Sequence, residues 1–560
     1  MTPRQLLTRY SFQSLFRSEA LSESGVDAYR AWLISIAIAL VCFHLHLARI
    51  LAIKYGSIAA TKNEKLFRSA VAADELFYLA AGFLFVLLLA TLQWQALFPS
   101  ERDHQVLSTL PIRRADIFLS RITALTLFLS LFLAAFSLPP ALLFPGFARG
   151  PFPIEPFSQR LLAHLASGLG AGIQAFASVL ALQGLCLTLL PHRLRSAASF
   201  TIQSALLSLT IACIPIAWHI PGLFRLLDTR ADWLTWLPPV WWLGVCETLR
   251  GSPDPWFHAL SNKALTATAA STLIAAAAYL HLYRRFSDFA APPRTPSPRQ
   301  SPLLQLARRD DSAALAFIAT TLARSAQHRL ILSAIAAVGA SLALDGFLST
   351  YIRQWTRGRA AGGLFLETSL ALPLLLTFSL TAALRMSFRI PHQWTAHWIF
   401  RFTEFAPARP AQLEASLSAM YLFAVLPAML IALPFQLSAL GPAKTLAALP
   451  LLALLNAALV EFTLQDSQRL PFTATYAPSH RPAAVSLVFF LSAFSIYGYG
   501  NAALVKHLIG NPLHWLCAVA ALSALWVFLR RKRLSHWGHE PFVFHDDGAP
   551  TVQITNFAPE

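Results

Sequence analysis

Residues 76–98 read LFYLAAGFLFVLLLATLQWQALF, a run without a single Asp, Glu, Lys or Arg. A helix of this length crosses the roughly 30 Å hydrocarbon core of a bilayer, because it rises about 1.5 Å per residue. The whole chain shares this character, since 56% of its 560 residues are hydrophobic and only 13% are charged. A typical water-soluble domain carries about 25% charged residues. The composition therefore excludes a disordered chain, a coiled coil and a soluble enzyme, and it predicts an integral membrane protein.

The chain carries a large excess of positive charge, because 44 Lys and Arg face 27 Asp and Glu and give a net charge of +17. No helix-turn-helix, zinc-finger or RNA-binding pattern accompanies it, so no nucleic-acid partner is expected. Membrane proteins collect such residues in cytoplasmic loops, where they also meet the anionic lipid bilayer. The five cysteines form no CxxC pair and the histidines of the C-terminal tail match no ligand spacing, so no disulfide framework or metal site is expected.

Twelve stretches of the chain are long and apolar enough to cross a bilayer. They predict an all-α integral membrane protein of two six-helix halves, with short interfacial and coupling helices between the spans. Repeated halves are the architecture of many transporters. The predicted spans are 31–53, 76–98, 122–145, 163–190, 196–220, 262–284, 329–350, 364–384, 414–435, 442–464, 485–509 and 513–530.

A linker separates the two halves. Residues 287–312 read SDFAAPPRTPSPRQSPLLQLARRDDS, and this Pro-, Ser- and Arg-rich composition resists helix formation and cannot span lipid. The sequence therefore predicts a first six-span half at 1–284 and a cytoplasmic linker at 285–310. A second six-span half is predicted at 311–533 and a cytoplasmic tail at 534–560.

The distribution of Lys and Arg predicts the topology. With the N-terminus inside, 28 of them lie in inner segments and 15 in outer segments, while Arg49 lies in the first span. Because positive residues accumulate on the cytoplasmic side, this bias favours a multi-pass protein with both termini in the cytoplasm. Each half also begins with a segment that mixes basic and apolar residues, at 6–16 and 315–322. Both segments are predicted to be helices on the cytoplasmic membrane surface.

The loop between the second and third predicted spans carries the most informative motif. Residues 98–121 read FPSERDHQVLSTLPIRRADIFLSR. Acidic groups open a short helix, where they suit the positive end of the helix dipole, and two leucines three residues apart give it an apolar stripe. A proline then ends the helix before two arginines, so the segment suits docking to another protein. The residues assigned to docking are Glu101, Arg102, Asp103, Leu107, Leu110, Pro111, Arg113 and Arg114.

At this loop the sequence resembles the permease subunits of ATP-binding-cassette exporters of the ABC-2 type, in their long bacterial form with two six-span halves. In that family the loop reads approximately as acidic, basic and acidic residues, a leucine-rich helix, Pro with Ile or Val, and basic residues. The chain departs from the pattern at Asp103-His104-Gln105, where a small residue, Thr and Leu are usual. Three further segments resemble the family, namely LPPVWWLGVCE at 237–247, WIFRFTE at 398–404 and PFTATY at 471–476.

The resemblance implies a role in export across a bacterial inner (plasma) membrane. Such permeases form the translocation path and have no catalytic residues and no cofactor of their own. A separate ATPase, expected as two subunits per transmembrane unit, binds ATP and Mg and docks on the cytoplasmic coupling helices. The resemblance therefore assigns ATPase docking to residues 101–114. The loop between spans eight and nine holds the matching place in the second half, with the candidates Arg389, Pro391, Trp398, Arg401 and Glu404.

The chain lacks the GxxxxGK[ST] motif that cradles nucleotide phosphates. The sequence GPAKT at 441–445 has a similar outline, but it lacks the second glycine and a preceding strand. ATP hydrolysis is therefore expected on a partner chain.

Two other classes of function remain open. An ion-coupled secondary carrier would also have twelve spans, but it binds its coupling ion near the midplane, whereas the ionisable residues here lie nearer the interfaces. These residues include His44, His46, Arg49, Asp345, Glu367 and Glu461. A membrane glycosyl or phosphoryl transferase with a lipid-linked donor needs acidic residues and a large outer loop early in the chain. The short predicted loop at 54–75 offers Glu64, Asp74 and Glu75.

Overall fold

Helices make up most of the structure, a computed structural model. It describes residues 3–15, 47, 49–99, 103, 106–107, 109–148, 152, 155–222, 227–285, 312–357, 362–390, 409–465, 470–473 and 483–539. None of these residues lies in a β-strand. Ten helices among them are long and apolar enough to cross a membrane. The predicted all-α class and the multi-pass membrane character are therefore confirmed at this level.

The chain divides into two units, Met1–Thr295 and Pro296–Glu560. This division falls within the predicted linker at 285–310, of which only Arg285 is described. The helices of the first unit, apart from a helical stretch at 49–60, are α1 (Pro3–Ser14), α2 (Glu64–Leu92), α3 (Arg114–Phe147), α4 (Phe157–Leu189), α5 (His192–His219), α6 (Pro238–Leu249) and α7 (Pro255–Arg284). Five of them, α2, α3, α4, α5 and α7, provide spanning candidates, whereas the predicted span at 31–53 lies mostly outside the described residues.

Small residues on α4 allow neighbouring helices to approach closely, as they do in many membrane bundles. A Cβ atom on Gly170 would lie 2.0 Å from the ring of Trp242 on α6, and one on Gly184 would lie 2.5 Å from Ala278 on α7. The indole of Trp242 is buried against this surface and donates a hydrogen bond to the side chain of Gln174. Helix α6, which is too short to span a bilayer, is thereby held inside the first unit.

The second unit continues the pattern with nine helices in the part of the chain that the structure describes. They are α8 (Ser312–Arg324), α9 (Ala326–Arg357), α10 (Gly362–Phe388), α11 (Arg409–Met420), α12 (Leu426–Leu440), α13 (Pro442–Thr463), α14 (Ala483–Ser495), α15 (Asn501–Ile509) and α16 (Pro512–His539). A π-helical turn at Tyr421–Val425 joins α11 to α12, and together they provide one spanning candidate. A second π-helical turn, Ile496–Gly500, joins α14 to α15, which together cover the predicted span at 485–509 but are not among the ten candidates.

The described parts of the two predicted interfacial segments are helical, and each helix contacts other helices of its unit. Ile318 and Leu322 of α8 are buried in a cluster that includes Leu413 of α11 and Trp537 of α16. Helix α1 packs on the start of α3, where the Ser120 hydroxyl donates a 3.2 Å hydrogen bond to the Arg4 carbonyl oxygen. Other helices therefore cover the apolar stripe of α8, whereas Leu6 and Tyr10 of α1 remain exposed.

Several helices extend beyond the apolar runs that predicted them. Helix α2 begins at Glu64, twelve residues before the predicted span at 76–98, and its cap residue Asn63 accepts a 3.0 Å hydrogen bond from the Leu66 amide. Its early turns contain Asp74 and Glu75, which were predicted to lie in a loop. At the other end of the chain, α16 continues to His539, inside the predicted tail at 534–560.

Candidate docking site and buried charge clusters

The docking loop follows the end of α2 and leads into α3. Val106 and Leu107 are helical, and a turn closes behind them because the Leu110 amide donates a 3.3 Å hydrogen bond to the Leu107 carbonyl oxygen. Val106 and Leu110 are 63% and 48% exposed, while Leu107 is half-buried. Two apolar side chains of this segment, Val106 and Leu110, therefore face outward. Glu101 and Arg102 lie outside the described residues.

Arginine side chains flank the apolar face of the docking loop. Pro111, Arg113 and Arg114 are exposed, and Arg113 is the cap residue that begins α3. Asp103 faces inward, and its carboxylate lies 3.3 Å from a guanidinium nitrogen of Arg121 on α3. The exposed members of the predicted docking set thus lie together, and the ion pair between Asp103 and Arg121 attaches the loop to α3.

Helix α1 completes this region. Arg121 also donates a 3.3 Å hydrogen bond to the Ser14 hydroxyl, so the same guanidinium contacts the docking loop and α1. A shallow cavity between them is lined by Leu7 and Tyr10 of α1 and by Leu107 of the loop. Helix α1 therefore packs beside the loop and α3 rather than lying apart from them.

The second-half candidates are described only at their first member. Arg389 follows the last residue of α10, and its amide donates a 3.2 Å hydrogen bond to the Met386 carbonyl oxygen. The next residue is fixed by α9, since a ring nitrogen of buried His328 lies 2.9 Å from the Ile390 carbonyl oxygen. The other four candidates, Pro391, Trp398, Arg401 and Glu404, lie outside the described residues, so their assignment to docking stays a prediction.

A cluster of buried charges, which the sequence analysis missed, lies at the opposite end of the first unit. Arg250, just after α6, contacts three carboxylates, which are Glu75 at 3.2 Å, Glu247 at 2.9 Å and Glu155 at 3.1 Å. Glu75 is only 3% exposed and also lies 2.8 Å from His164 of α4. Its carboxylate accepts a further hydrogen bond, from the Cys246 thiol. We refer to these six residues as the Arg250 cluster.

The groups of the Arg250 cluster that lie outside the spanning helices have shifted pKa values. Burial raises the pKa of Glu247 to about 7. Arg250 lowers this pKa, and the nearby Glu75 and Glu155 offset part of that lowering. Burial also raises the pKa of the Cys246 thiol well above its ordinary value. For Glu155, burial acts in the same upward direction, but the Arg250 guanidinium holds its pKa below the usual range. The cluster therefore favours a neutral Glu247 beside charged Glu155 and Arg250.

Protonation of Glu247 predicts a pH-dependent stability. Because its folded pKa of about 7 lies above the ordinary value of 4.5, the neutral carboxyl stabilises the fold fully below pH 4.5, and this contribution is lost as the pH rises through 7. The difference corresponds to about 3 kcal/mol. We expect the melting temperature of the purified chain to fall between about pH 5 and pH 8 and Glu247→Gln to remove most of that fall. An equally steep fall in Glu247→Gln would contradict the protonated state.

Other ion pairs inside the bundle join neighbouring helical segments. Asp74 of α2 is fully buried and accepts hydrogen bonds from Lys54 at 2.6 Å and from the Tyr55 hydroxyl. In the second unit, Lys506 of α15 pairs with Glu367 of α10. Glu461 of α13 pairs with Arg533 of α16, and both side chains are at most 1% exposed. Most of these groups are therefore neutralised by a partner on another helical segment rather than by water, as ionisable residues in a membrane require.

Sequence reasoning missed the Arg250 cluster because its members are spread over four segments of the chain. Two signals were present. Cys246 and Glu247 belong to the segment 237–247 that the sequence analysis singled out, and most of this segment lies in α6. Adjacent Asp74 and Glu75 at the edge of the strongest apolar run were a second signal, since charges there need partners. The partners lie far away along the chain, so the sequence does not identify them.

Among the described residues, no group of three His, Cys, Asp or Glu side chains is arranged to hold a metal ion. Comparison of the chain with known proteins finds no matching family model, no curated relative and no solved structure of similar fold.

Proposed function

We propose that the chain is the transmembrane permease subunit of an ATP-binding-cassette exporter and couples through its cytoplasmic loops to a separate ATPase. The observation that carries the proposal is the docking loop, where exposed Val106 and Leu110 lie beside exposed Arg113 and Arg114. Apolar side chains exposed on a polar loop mark a protein interaction site. The ion pair between Asp103 and Arg121 supports this role, because it connects the loop to a spanning helix.

The proposal includes twelve spans in two six-span halves, with both termini in the cytoplasm of a bacterial inner membrane. The ion pairs are consistent with this topology. Lys506 and Glu367 both belong on the predicted outer side, and Glu461 and Arg533 both belong on the predicted inner side. In this topology the residues of the Arg250 cluster all belong on the outer side, away from the docking loop. ATP and Mg are proposed to bind to the ATPase, with two such subunits for each transmembrane unit.

A charge placed in the docking loop tests the proposal. We expect the double variant Leu107→Asp, Leu110→Asp to reduce co-purification of a Walker-motif ATPase by about tenfold or more, because an aspartate in an apolar contact loses its hydration without gaining a partner. Co-purification is measured by quantitative mass spectrometry after mild detergent extraction. The matched control is Leu249→Asp, since Leu249 is as exposed as Leu110 but lies beside the Arg250 cluster, far from the docking loop. Normal association in the double variant would contradict the docking assignment.

One observation favours a second candidate, an ion-coupled secondary carrier. The contact between Glu75 and His164 joins two spanning helices and is buried, as proton-coupling sites are. Such a carrier would move protons in vesicles that contain no ATP, and Glu75→Gln would abolish that flux. Proton flux measured with a pH-sensitive dye distinguishes the two candidates. A lipid-linked transferase gains no support, because Asp74 is fully buried and its carboxylate is already bound by Lys54 and Tyr55.

A further inference from the structure

The end of α2 is fixed by side chains from three other helices. Helix α2 ends at Leu92, and the chain continues through a 3₁₀ turn at Trp94–Ala96 before Pro99 begins the docking loop. We call residues 91–98 the junction. Thr91, Trp94, Leu97 and Phe98 are at most 2% exposed, so carbonyl groups freed by the end of the helix are enclosed in protein. The Thr91 and Trp94 carbonyl oxygens each accept one backbone hydrogen bond, from the Gln93 and Leu97 amides, and their remaining lone pairs face protein side chains, as does the Leu97 carbonyl oxygen.

Those partners come from α4, α5 and α7. Gln203 of α5 donates a 3.0 Å hydrogen bond to the Thr91 carbonyl oxygen. Gln183 of α4 donates to the Trp94 carbonyl oxygen, and the Tyr279 hydroxyl of α7 donates to the Leu97 carbonyl oxygen. All three donors are themselves buried. The backbone of the junction is thereby bound to three spanning helices at three successive points.

Two further contacts attach the junction to its surroundings. The Trp94 indole donates a 2.7 Å hydrogen bond to the Ser199 hydroxyl of α5, and Gln93 donates a 2.8 Å hydrogen bond to the Leu15 carbonyl oxygen behind α1. Phe98 stacks on the Tyr279 ring with a centroid separation of 4.4 Å. Only Pro99 separates this packed segment from Ser100 and the rest of the docking loop. A displacement of the loop therefore has to break these hydrogen bonds or move the helices that donate them.

We infer that the junction transmits movement of the docking loop to α4, α5 and α7, and that Gln183, Gln203 and Tyr279 are the positioning residues of this transmission. The inference rests on the proposed function. A simple helix cap would need a glycine or one nearby donor, whereas here three long-range donors hold one segment. Because the donors bind backbone carbonyls, the connection depends on Gln183, Gln203 and Tyr279 rather than on the side chains of the junction.

The test measures movement at both ends of the first unit. Two pairs of spin labels, carried on p-acetylphenylalanine so that native cysteines remain, report distances by electron–electron double resonance. The inner pair replaces Ala115, which directly follows the docking residues 101–114, and Leu189, and the outer pair replaces Phe147 of α3 and Ile216 of α5. All four positions are exposed. The full chain is measured in complex with its ATPase, without nucleotide and after trapping with ATP and vanadate.

In the wild-type complex we expect both label pairs to change distance on trapping. In Gln203→Leu with Tyr279→Phe the inner pair should still change, but the shift of the outer pair should fall to less than about half of the wild-type shift. Tyr279→Phe alone retains the ring stacked on Phe98, so it should fold normally and show an intermediate loss. The matched control is Gln174→Leu, because Gln174 is a buried glutamine of α4 that binds Trp242 instead of the junction.

The outcomes separate the inference from the proposed function. Wild-type outer shifts in both junction variants, or an equal loss in Gln174→Leu, would overturn the transmission role while the ATPase complex itself stands. Failure of the wild-type chain to form a complex with an ATPase would overturn the proposed function and the inference with it.

Discussion

Replacing Arg533 with methionine is expected to lower the free energy of unfolding of the second unit by about 3–5 kcal/mol. The Arg533 guanidinium is fully buried, pairs with Glu461 and lies 4.1 Å from the centre of the Trp537 ring. Methionine removes the positive charge and leaves the Glu461 carboxylate buried without its partner. The loss is measured by equilibrium unfolding of the purified chain in mixed micelles.

Two companion variants show whether the effect comes from an unpaired charge. The double replacement Glu461→Leu, Arg533→Met removes both charges and should recover most of the lost stability, because buried ion pairs exchange well for apolar groups of similar volume. Lys506→Met breaks a pair whose side chains are about one-third exposed, so it should cost about 1 kcal/mol. Equal losses in Arg533→Met and in the double variant would contradict the explanation.

Replacing Arg250 with methionine is expected to destabilise the first unit by a similar amount, about 3–5 kcal/mol. Arg250 is the only residue of the Arg250 cluster that contacts all three carboxylates. Its loss leaves the Glu75 and Glu155 carboxylates close together without that positive charge, and it removes the 2.9 Å contact with Glu247. Arg250→Lys should recover only part of the loss, since an ammonium group lacks the planar fork that reaches several carboxylates. Thermal unfolding monitored by tryptophan fluorescence measures the change.

The control for Arg250 lies in the same segment of the chain, between α5 and α7. Arg230 forms an ion pair with Asp254, but more than half of the Arg230 side chain is exposed. Arg230→Met should therefore cost less than about 1 kcal/mol. If Arg230→Met and Arg250→Met destabilise the protein equally, the effect reflects loss of net charge rather than loss of the buried contacts.

The apolar runs predicted most of the helices because lipid imposes a simple requirement on length and composition. The apolar runs did not predict where helices continue beyond the ends of those runs. Helix α2 extends back to Glu64 through Asp74 and Glu75, and this extension depends on Lys54, His164 and Arg250, which are distant along the chain. Contacts of this kind leave no periodic signal in the sequence.

The docking loop illustrates the same division. Its charges, leucines and proline predicted a short exposed helix, of which the structure describes Asp103, Val106 and Leu107 as helical. Val106 and Leu110 are exposed, whereas Leu107 is half-buried. The sequence also predicted a span that continues unbroken to Phe98, whereas the helix ends at Leu92 and the chain passes through the junction. The donors that make this ending possible, Gln183, Gln203 and Tyr279, are ordinary polar residues within apolar runs. Only the packing of their helices brings all three side chains to the backbone of the junction.

Native mass spectrometry of the chain extracted into lipid nanodiscs tests whether it works with a separate ATPase. We expect a complex that contains Walker-motif ATPase subunits, two for each transmembrane unit, and that loses them in the Leu107→Asp, Leu110→Asp variant. A chain that is extracted without any ATPase, and that conducts protons in ATP-free vesicles through Glu75, would contradict this expectation.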